Sequence, residues 1–155
     1  MPPALWAELL AGGAEGLESL RTVIVGGEAL PPALARRHLA LLPEARLVNE
    51  YGPTETTVFS SAHVVDAVTS GSVPIGRPIH RTRASIVDRY GQLVPRGGVG
   101  ELWIGGAGVT AGYLRDEART LERFVDDPHL GRTYRTGDLA RWDAEGRLRF
   151  EGRVD

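Results

Sequence analysis

Two short apolar runs, "LRTVIV" (20–25) and "ARLVNE" (45–50), bracket a stretch that opens on Pro31-Pro32 and carries Ala35, Leu39 and Leu42 at i, i+4 and i+7. No other feature of the sequence limits the possible folds so tightly. The proline pair favours a helix start, the apolar spacing gives that helix one buried face, and Pro43 closes it. Gly26-Gly27 ends the first run, so the order is strand, helix, strand. A helical crossover predicts parallel strands and a right-handed connection. The turns that follow the two strands, "GGEAL" and "YGPTETT", then emerge at one carboxyl edge, where open α/β sheets hold their ligands. Residues 2–11 read as an earlier helix, opened by Pro2-Pro3, with Leu5, Leu9 and Leu10 on one side and a stop at Gly12-Gly13.

From Val58 the pattern changes to short strands and turns: "VFSSAHVV", "SGSVPIGRP", "ASIVD", "RYGQ", "PRGGVG", "ELWIGG", "YRTG", "LARW" and "LRFEG". One helix, at about 116–124, interrupts them. The turn "DAEG" predicts a hairpin with Leu148 and Phe150 on one face. The fold class is therefore α/β: a β-α-β parallel-sheet layer over 1–72, then a small distorted antiparallel β-barrel over 73–150. The last residues, "EGRVD", read as a cut rather than a finished terminus.

Charge and composition narrow the function. The net charge of −2 and scattered arginines leave no footprint for nucleic acid or an anionic membrane. With no cysteine, disulfides and thiolate metal sites are excluded, and the four histidines never fall at ligand spacing. No apolar run is long enough to span a membrane and no secretion signal opens the chain, so a cytoplasmic location is expected. All eighteen cationic side chains are arginine, so a mechanism that needs lysine must import it.

"YGPTE" could meet a base, a phosphate and a metal within five residues. Tyr51 offers a flat face to a planar ring. Gly52-Pro53 fixes a tight turn that points amides and the Thr54 hydroxyl outward, a donor set suited to phosphate oxygens. Glu55 supplies a hard oxygen of the kind Mg²⁺ uses together with substrate phosphates. The same residues also suit a plain hydroxyl-capped turn. Asp138, in a Thr-Gly-Asp turn between strands, could accept from ribose hydroxyls or merely bond its own backbone. Gly106, Gly108 and Gly112 approximate a dinucleotide fingerprint, but no helix opens at them and tight turns explain them better.

"NEYGPTETT", "GELWIGGAGVTAGYL", "YRTGDLARW" and the terminal "GRVD", in this order and with "LRTVIVGGEAL" and "PIGRPI", resemble the adenylate-forming superfamily. The likeness is to the amino-acid-activating adenylation domains of nonribosomal peptide synthetases, and it covers 20–155. It implies that a carboxylate attacks the α-phosphate of Mg·ATP to give an acyl-adenylate and pyrophosphate. A phosphopantetheine thiol on a peptidyl carrier domain then takes the acyl group. The partners it implies are an amino acid, that carrier domain and neighbouring synthetase domains.

By position, the resemblance places Tyr51 on adenine, Asn49 and the Gly27 backbone beside the base, Gly52 and Thr54 at the phosphates, and Glu55 on Mg²⁺. It gives Asp138 the ribose hydroxyls, Arg153 the same sugar region, and makes Asp155, within 151–155, the hinge to a C-terminal domain. Family pocket positions correspond to Ile24, Gly26, Glu50, Val58 and Phe59; Ile24 and Gly26 share a strand face by the period-two rule. A carboxylate in a pocket needs a donor, so Glu50 points either to a substrate side chain bearing an amide, amine or phenol or to a rim position facing water.

The family's phosphate loop with its lysine, the aspartate that anchors the substrate amino group, and the lysine-bearing C-terminal domain have no counterpart here. The chain is accordingly expected to be inactive alone. An acyl- or aryl-CoA ligase shares the Tyr-Gly-Pro/Ser-Thr-Glu loop and is the alternative within chemistry, although "GGEAL" and "GRPI" lean to the peptide-synthetase branch. A non-catalytic remnant is the alternative outside it.

Overall fold

In the computed structural model, which describes residues 1–68 and 71–154, two sheets follow one another along the chain. The first has the spatial order β1 (Thr22–Gly26), β2 (Arg46–Tyr51), β3 (Ser61–Val65), β4 (Arg77–Pro78). β1 and β2 are parallel, in register from Thr22↔Arg46 to Gly26↔Glu50, as the intervening helix α2 (Pro32–Leu41) requires. β3 and β4 add antiparallel.

One face of this sheet presents Val23, Val25, Leu47 and Val65 to α2 and to the earlier helix α1 (Pro3–Leu9), closing the first core with Trp6, Leu10, Leu34 and Ala35. Each such large side chain, once fully buried, contributes about 2 kcal/mol. In α1 the expected apolar side is corrected: Leu5 and Leu9 are each 46% exposed. A helix this short buries a single line, and Pro3, Trp6 and Leu10 take it because the indole has the largest apolar area to remove from water.

The second sheet comprises β5 (Thr82–Val87), β6 (Gly100–Gly106), β7 (Phe124–Asp127), β8 (Gly131–Trp142) and β9 (Leu148–Arg153). Its order is β5-β6-β8-β7 with β9 also on β8, every pairing is antiparallel, and it curls as a half-barrel. Helix α3 (Glu117–Arg123) leads into β7, capped by Asp116 Oδ1 accepting from the Arg119 amide at 3.0 Å.

Ile75, Ile86, Leu102, Ile104, Ala140 and Leu148 form a second core, and Tyr51 of the first sheet packs against it. The sheets also touch through backbone: Leu148 N–H donates to the Gly76 carbonyl at 2.6 Å. Gly76 has φ +88°, and a Cβ there would lie 1.9 Å from the Ala62 carbonyl oxygen, so glycine is what lets the chain pass this close to β3 within the first sheet.

Three strand expectations are corrected. "VFSSAHVV" becomes strand only at Ser61, because Thr57 and Val58 turn left-handed with φ of 62° and 69°. "RYGQ" is a turn in which Asp88 Oδ1 accepts from the Tyr90 and Gln92 amides. "YRTG" and "LARW" are one strand, since the Thr-Gly-Asp segment is absorbed as a bulge: opposite β6, the register jumps from Trp103↔Arg135 to Glu101↔Leu139.

Candidate functional site

The bulge in β8 decides where Asp138 stands. Gly137 at φ +72° bends the strand, and the Thr136 hydroxyl accepts the Asp138 amide at 3.0 Å while donating to the Leu102 carbonyl at 2.7 Å. The bulge thereby turns the aspartate toward the end of β2, whose last residue is Tyr51. The Tyr51 hydroxyl donates to Asp138 Oδ2 at 2.5 Å, and Arg153 of β9 donates from Nη1 to Oδ1 at 2.8 Å. Burial, reinforced by the Asp138 charge, pushes the Tyr51 phenol far above its ordinary range, so it remains a neutral donor.

Around this pair lies a cleft of about 340 Å³, the size of a small-ligand site. Of the residues expected from the sequence, Gly27, Asn49, Glu50, Tyr51, Gly52, Asp138 and Arg153 line it. Gly27, at φ +84°, carries the turn after β1 past the cleft. Asn49 is buried and anchored by Nδ2 donating to the Pro74 carbonyl at 2.9 Å. Gly52 is required by closeness: a Cβ there would meet Phe59 Cα at 2.3 Å, where the loop returns and Ser60 N–H donates to the Tyr51 carbonyl at 2.7 Å.

Thr54 and Glu55 follow just beyond the lining, in a 3₁₀ turn (Thr54–Thr56). Thr54 is exposed. The Glu55 carbonyl accepts from the Thr110 amide at 2.9 Å, and Glu55 Oε1 accepts from the Tyr113 hydroxyl at 2.6 Å. Tyr134, 3.4 Å from the Tyr113 hydroxyl, completes a phenolic pair beside the carboxylate. Burial alone would raise the Glu55 pKa, but donation from Tyr113, its own backbone amide and Tyr134, with the Arg119 charge, holds it below the usual carboxylate value.

Among the described residues no cluster of three or more His, Asp or Glu gathers, so an all-protein metal cage is absent. A single anionic carboxylate beside an open cleft does fit Mg²⁺, which is commonly held by one or two carboxylates with substrate phosphates.

The pocket positions divide. Ile24, Gly26 and Glu50 lie on one face of the first sheet, opposite its helices, with Gly26 paired to Glu50. Burial raises the Glu50 pKa, partly offset by the N-terminal charge. Ile24 is 44% and Val58 74% exposed, Phe59 is half-buried, and none of these three lines the cleft. Asp155 lies outside the described residues.

Phe150, Leu30, Val73 and Ile75 also line the cleft, and Tyr113 and Tyr134 flank Glu55, none of them expected from the sequence as a site residue. Phe150 was readable in part: once "DAEG" is a hairpin, β9 runs beside β8 and its aromatic comes near Asp138. Tyr113 gave no signal, since its partner is 58 residues away.

The family model described as AMP-binding enzyme matches residues 1–114. Gramicidin S synthase 2 of Brevibacillus brevis is 43% identical over 153 residues, which is 97% of this chain and 3% of that protein. Among solved structures, PA1221, described as an NRPS protein containing adenylation and PCP domains, superposes with a TM-score of 0.95 at 40% identity, covering 100% of this chain and 32% of that one. The nonribosomal peptide synthetase FmoA3 in its alpha-methyl-L-serine-AMP bound form gives a TM-score of 0.90 at 39% identity, covering 99% of this chain and 18% of that one. The chain thus spans a small share of the proteins it matches.

Proposed function

We propose a function for this chain, which belongs to the AMP-binding enzyme family, in the branch of nonribosomal peptide synthetase adenylation domains. It contributes the nucleotide-facing part of an ATP-dependent amino-acid ligase. The whole reaction joins an amino-acid carboxylate to the α-phosphate of ATP, expelling pyrophosphate, and then passes the aminoacyl group to the phosphopantetheine thiol of a peptidyl carrier domain. Residues 1–72 serve as the parallel-sheet part, 73–150 as the barrel part and 151–155, with Asp155, as the hinge to a further domain.

The carrying observation is that Tyr51 of the first sheet and Asp138 and Arg153 of the second wall a single cleft. In this reading Tyr51 stacks on adenine, Asn49 and the Gly27 backbone border the base, and Gly52 keeps the turn low enough for the phosphates to pass. The Thr54 hydroxyl donates to the α-phosphate. Asp138 gives up the Tyr51 hydroxyl for ribose hydroxyls and keeps Arg153 beside it. Glu55 would hold Mg²⁺, which when bound offsets charge on the phosphates. Ile24, Gly26, Glu50, Val58 and Phe59 face the acyl side. Since the chain has no lysine, the lysine that assists adenylation in this family must come from outside it, and in this reading these residues alone do not turn over.

Amino-acid-dependent pyrophosphate exchange by the synthetase that carries this chain tests the reading. Exchange that falls at least about a hundredfold in Asp138→Ala supports it, because a charged acceptor of two hydrogen bonds is removed. Unchanged exchange contradicts it. Thioester formation on a carrier domain but not on free coenzyme A separates it from a CoA ligase.

A further inference from the structure

The glycine-rich segment 106–113 looks in sequence like a nucleotide loop, yet it does not line the cleft. It packs behind the turn that bears Glu55. A Cβ on Gly108 would lie 2.7 Å from the Thr56 carbonyl oxygen, and the Thr57 hydroxyl donates to the Gly108 carbonyl at 2.7 Å. Thr110 N–H holds the Glu55 main chain, and Tyr113 O–H holds its side chain. One segment therefore grips the same residue twice.

Tyr113 is itself held by its amide, its hydroxyl and both ring neighbours. Its amide donates to Thr120 Oγ1 at 2.9 Å, and that hydroxyl donates in turn to the Asp116 carbonyl at 2.8 Å, tying the tyrosine to the first turn of α3. Gly112 at φ +130° leaves room for the Thr120 side chain, which a Cβ would meet at 2.4 Å. The ring meets Phe124 edge-on, centroids 5.6 Å apart, while the Arg119 guanidinium sits over it at 4.5 Å. A glutamate on a short surface turn ordinarily samples several rotamers, and a ligand must then select one. Here a rigid phenol 2.6 Å from Oε1 makes that selection before any ligand arrives.

We propose that Tyr113 is a positioning residue: it presets the Glu55 carboxylate for the metal of a metal–nucleotide complex, with segment 106–113 as its rigid mount. This rests on the reading of Glu55 as the metal-holding group, so the test separates the two. The chain is titrated with Mn²⁺ in the presence of saturating ATP, read by water-proton relaxation, and with AMP in the absence of metal, read by calorimetry, for the unsubstituted protein, Tyr113→Phe and Glu55→Gln. Phenylalanine keeps the ring contacts with Phe124 and Arg119 and removes only the hydroxyl.

The expected result is a loss of about tenfold in Mn²⁺ affinity for Tyr113→Phe, with metal-free AMP binding unchanged. Glu55→Gln should lose at least as much. If Tyr113→Phe matches the unsubstituted protein while Glu55→Gln loses affinity, the positioning role is wrong and the reading of Glu55 survives. If Tyr113→Phe weakens AMP and Mn²⁺ equally, its role is structural and the proposal falls. If Glu55→Gln changes nothing, or the unsubstituted chain shows no metal dependence, the reading of Glu55 fails and the proposal with it.

Discussion

Asp138 shows how much a single residue's role depends on chain that is distant in sequence. Its Oδ2 accepts from a tyrosine 87 residues earlier and its Oδ1 from an arginine 15 residues later. "RTGD" suggests a polar turn but cannot reveal either partner, because both arise from sheet pairing. Asp138→Asn keeps the shape and removes the charge, so metal-free AMP affinity should fall about tenfold or more by calorimetry, since hydrogen bonds to a charged acceptor carry that weight. Glu50 is legible differently. Pairing with Gly26 puts it on the sheet face that also holds Ile24, and partial burial disfavours its charged form. On the proposed function, replacing it with leucine in a synthetase that carries this chain should shift the amino-acid preference in pyrophosphate exchange away from side chains with donors. An unaltered ranking would mean that Glu50 faces water.

At the scale of elements, the β-α-β unit was readable because proline starts and apolar spacing are local signals. The bulged β8 was not, because what joins "YRTG" to "LARW" is the pairing with β6, β7 and β9. The β8–β9 hairpin carries an ionic cluster that sequence also hides. Buried Asp143 accepts from the Glu145 and Arg147 amides through Oδ1, and from Arg147 Nε at 2.9 Å and Arg149 Nε at 3.2 Å through Oδ2. Arg149 also donates to the Ser72 carbonyl and so bolts the hairpin to the loop before β4.

Burial would raise the Asp143 pKa, but these donors outweigh it and hold the pKa below the ordinary value. A carboxyl depressed in the folded state stabilises above its unfolded pKa of about 4, and that contribution disappears as pH falls through the folded value. Asp143→Asn should therefore cost about 3 kcal/mol near pH 7, since it leaves Arg149 buried without its counter-charge. Thermal melts at pH 7 and pH 3 check this: the gap between the two proteins should narrow in acid, and a gap independent of pH would contradict the assignment. Gly52→Ala tests the loop above it. A Cβ 2.3 Å from Phe59 Cα forces backbone apart, and a loss of about 2–3 kcal/mol is expected in denaturant unfolding.

For the whole molecule, the α/β class and the passage from a parallel layer to an antiparallel half-barrel followed from the change in pattern after Val58. The meeting of the layers did not, since it depends on Tyr51 entering the second core and on the backbone bond from Leu148 N–H to the Gly76 carbonyl. One side of the first sheet is covered by helices, while on the other Ile24 and Val64 are 44% and 51% exposed. An apolar sheet face of this kind favours self-association. Sedimentation should show concentration-dependent oligomers that Ile24→Thr with Val64→Thr reduces, and a monodisperse monomer at all concentrations would contradict that view.

On the proposed reading, the cleft shared by the two sheets receives an adenine nucleotide. Titrating the isotope-labelled chain with AMP, followed by amide chemical shifts, decides this. Gly27, Asn49, Tyr51, Asp138 and Arg153 should shift together with one affinity, and NAD should bind no better than AMP. Shifts confined to Gly106, Gly108 and Gly112, or none at Tyr51 and Asp138 up to millimolar AMP, would contradict it.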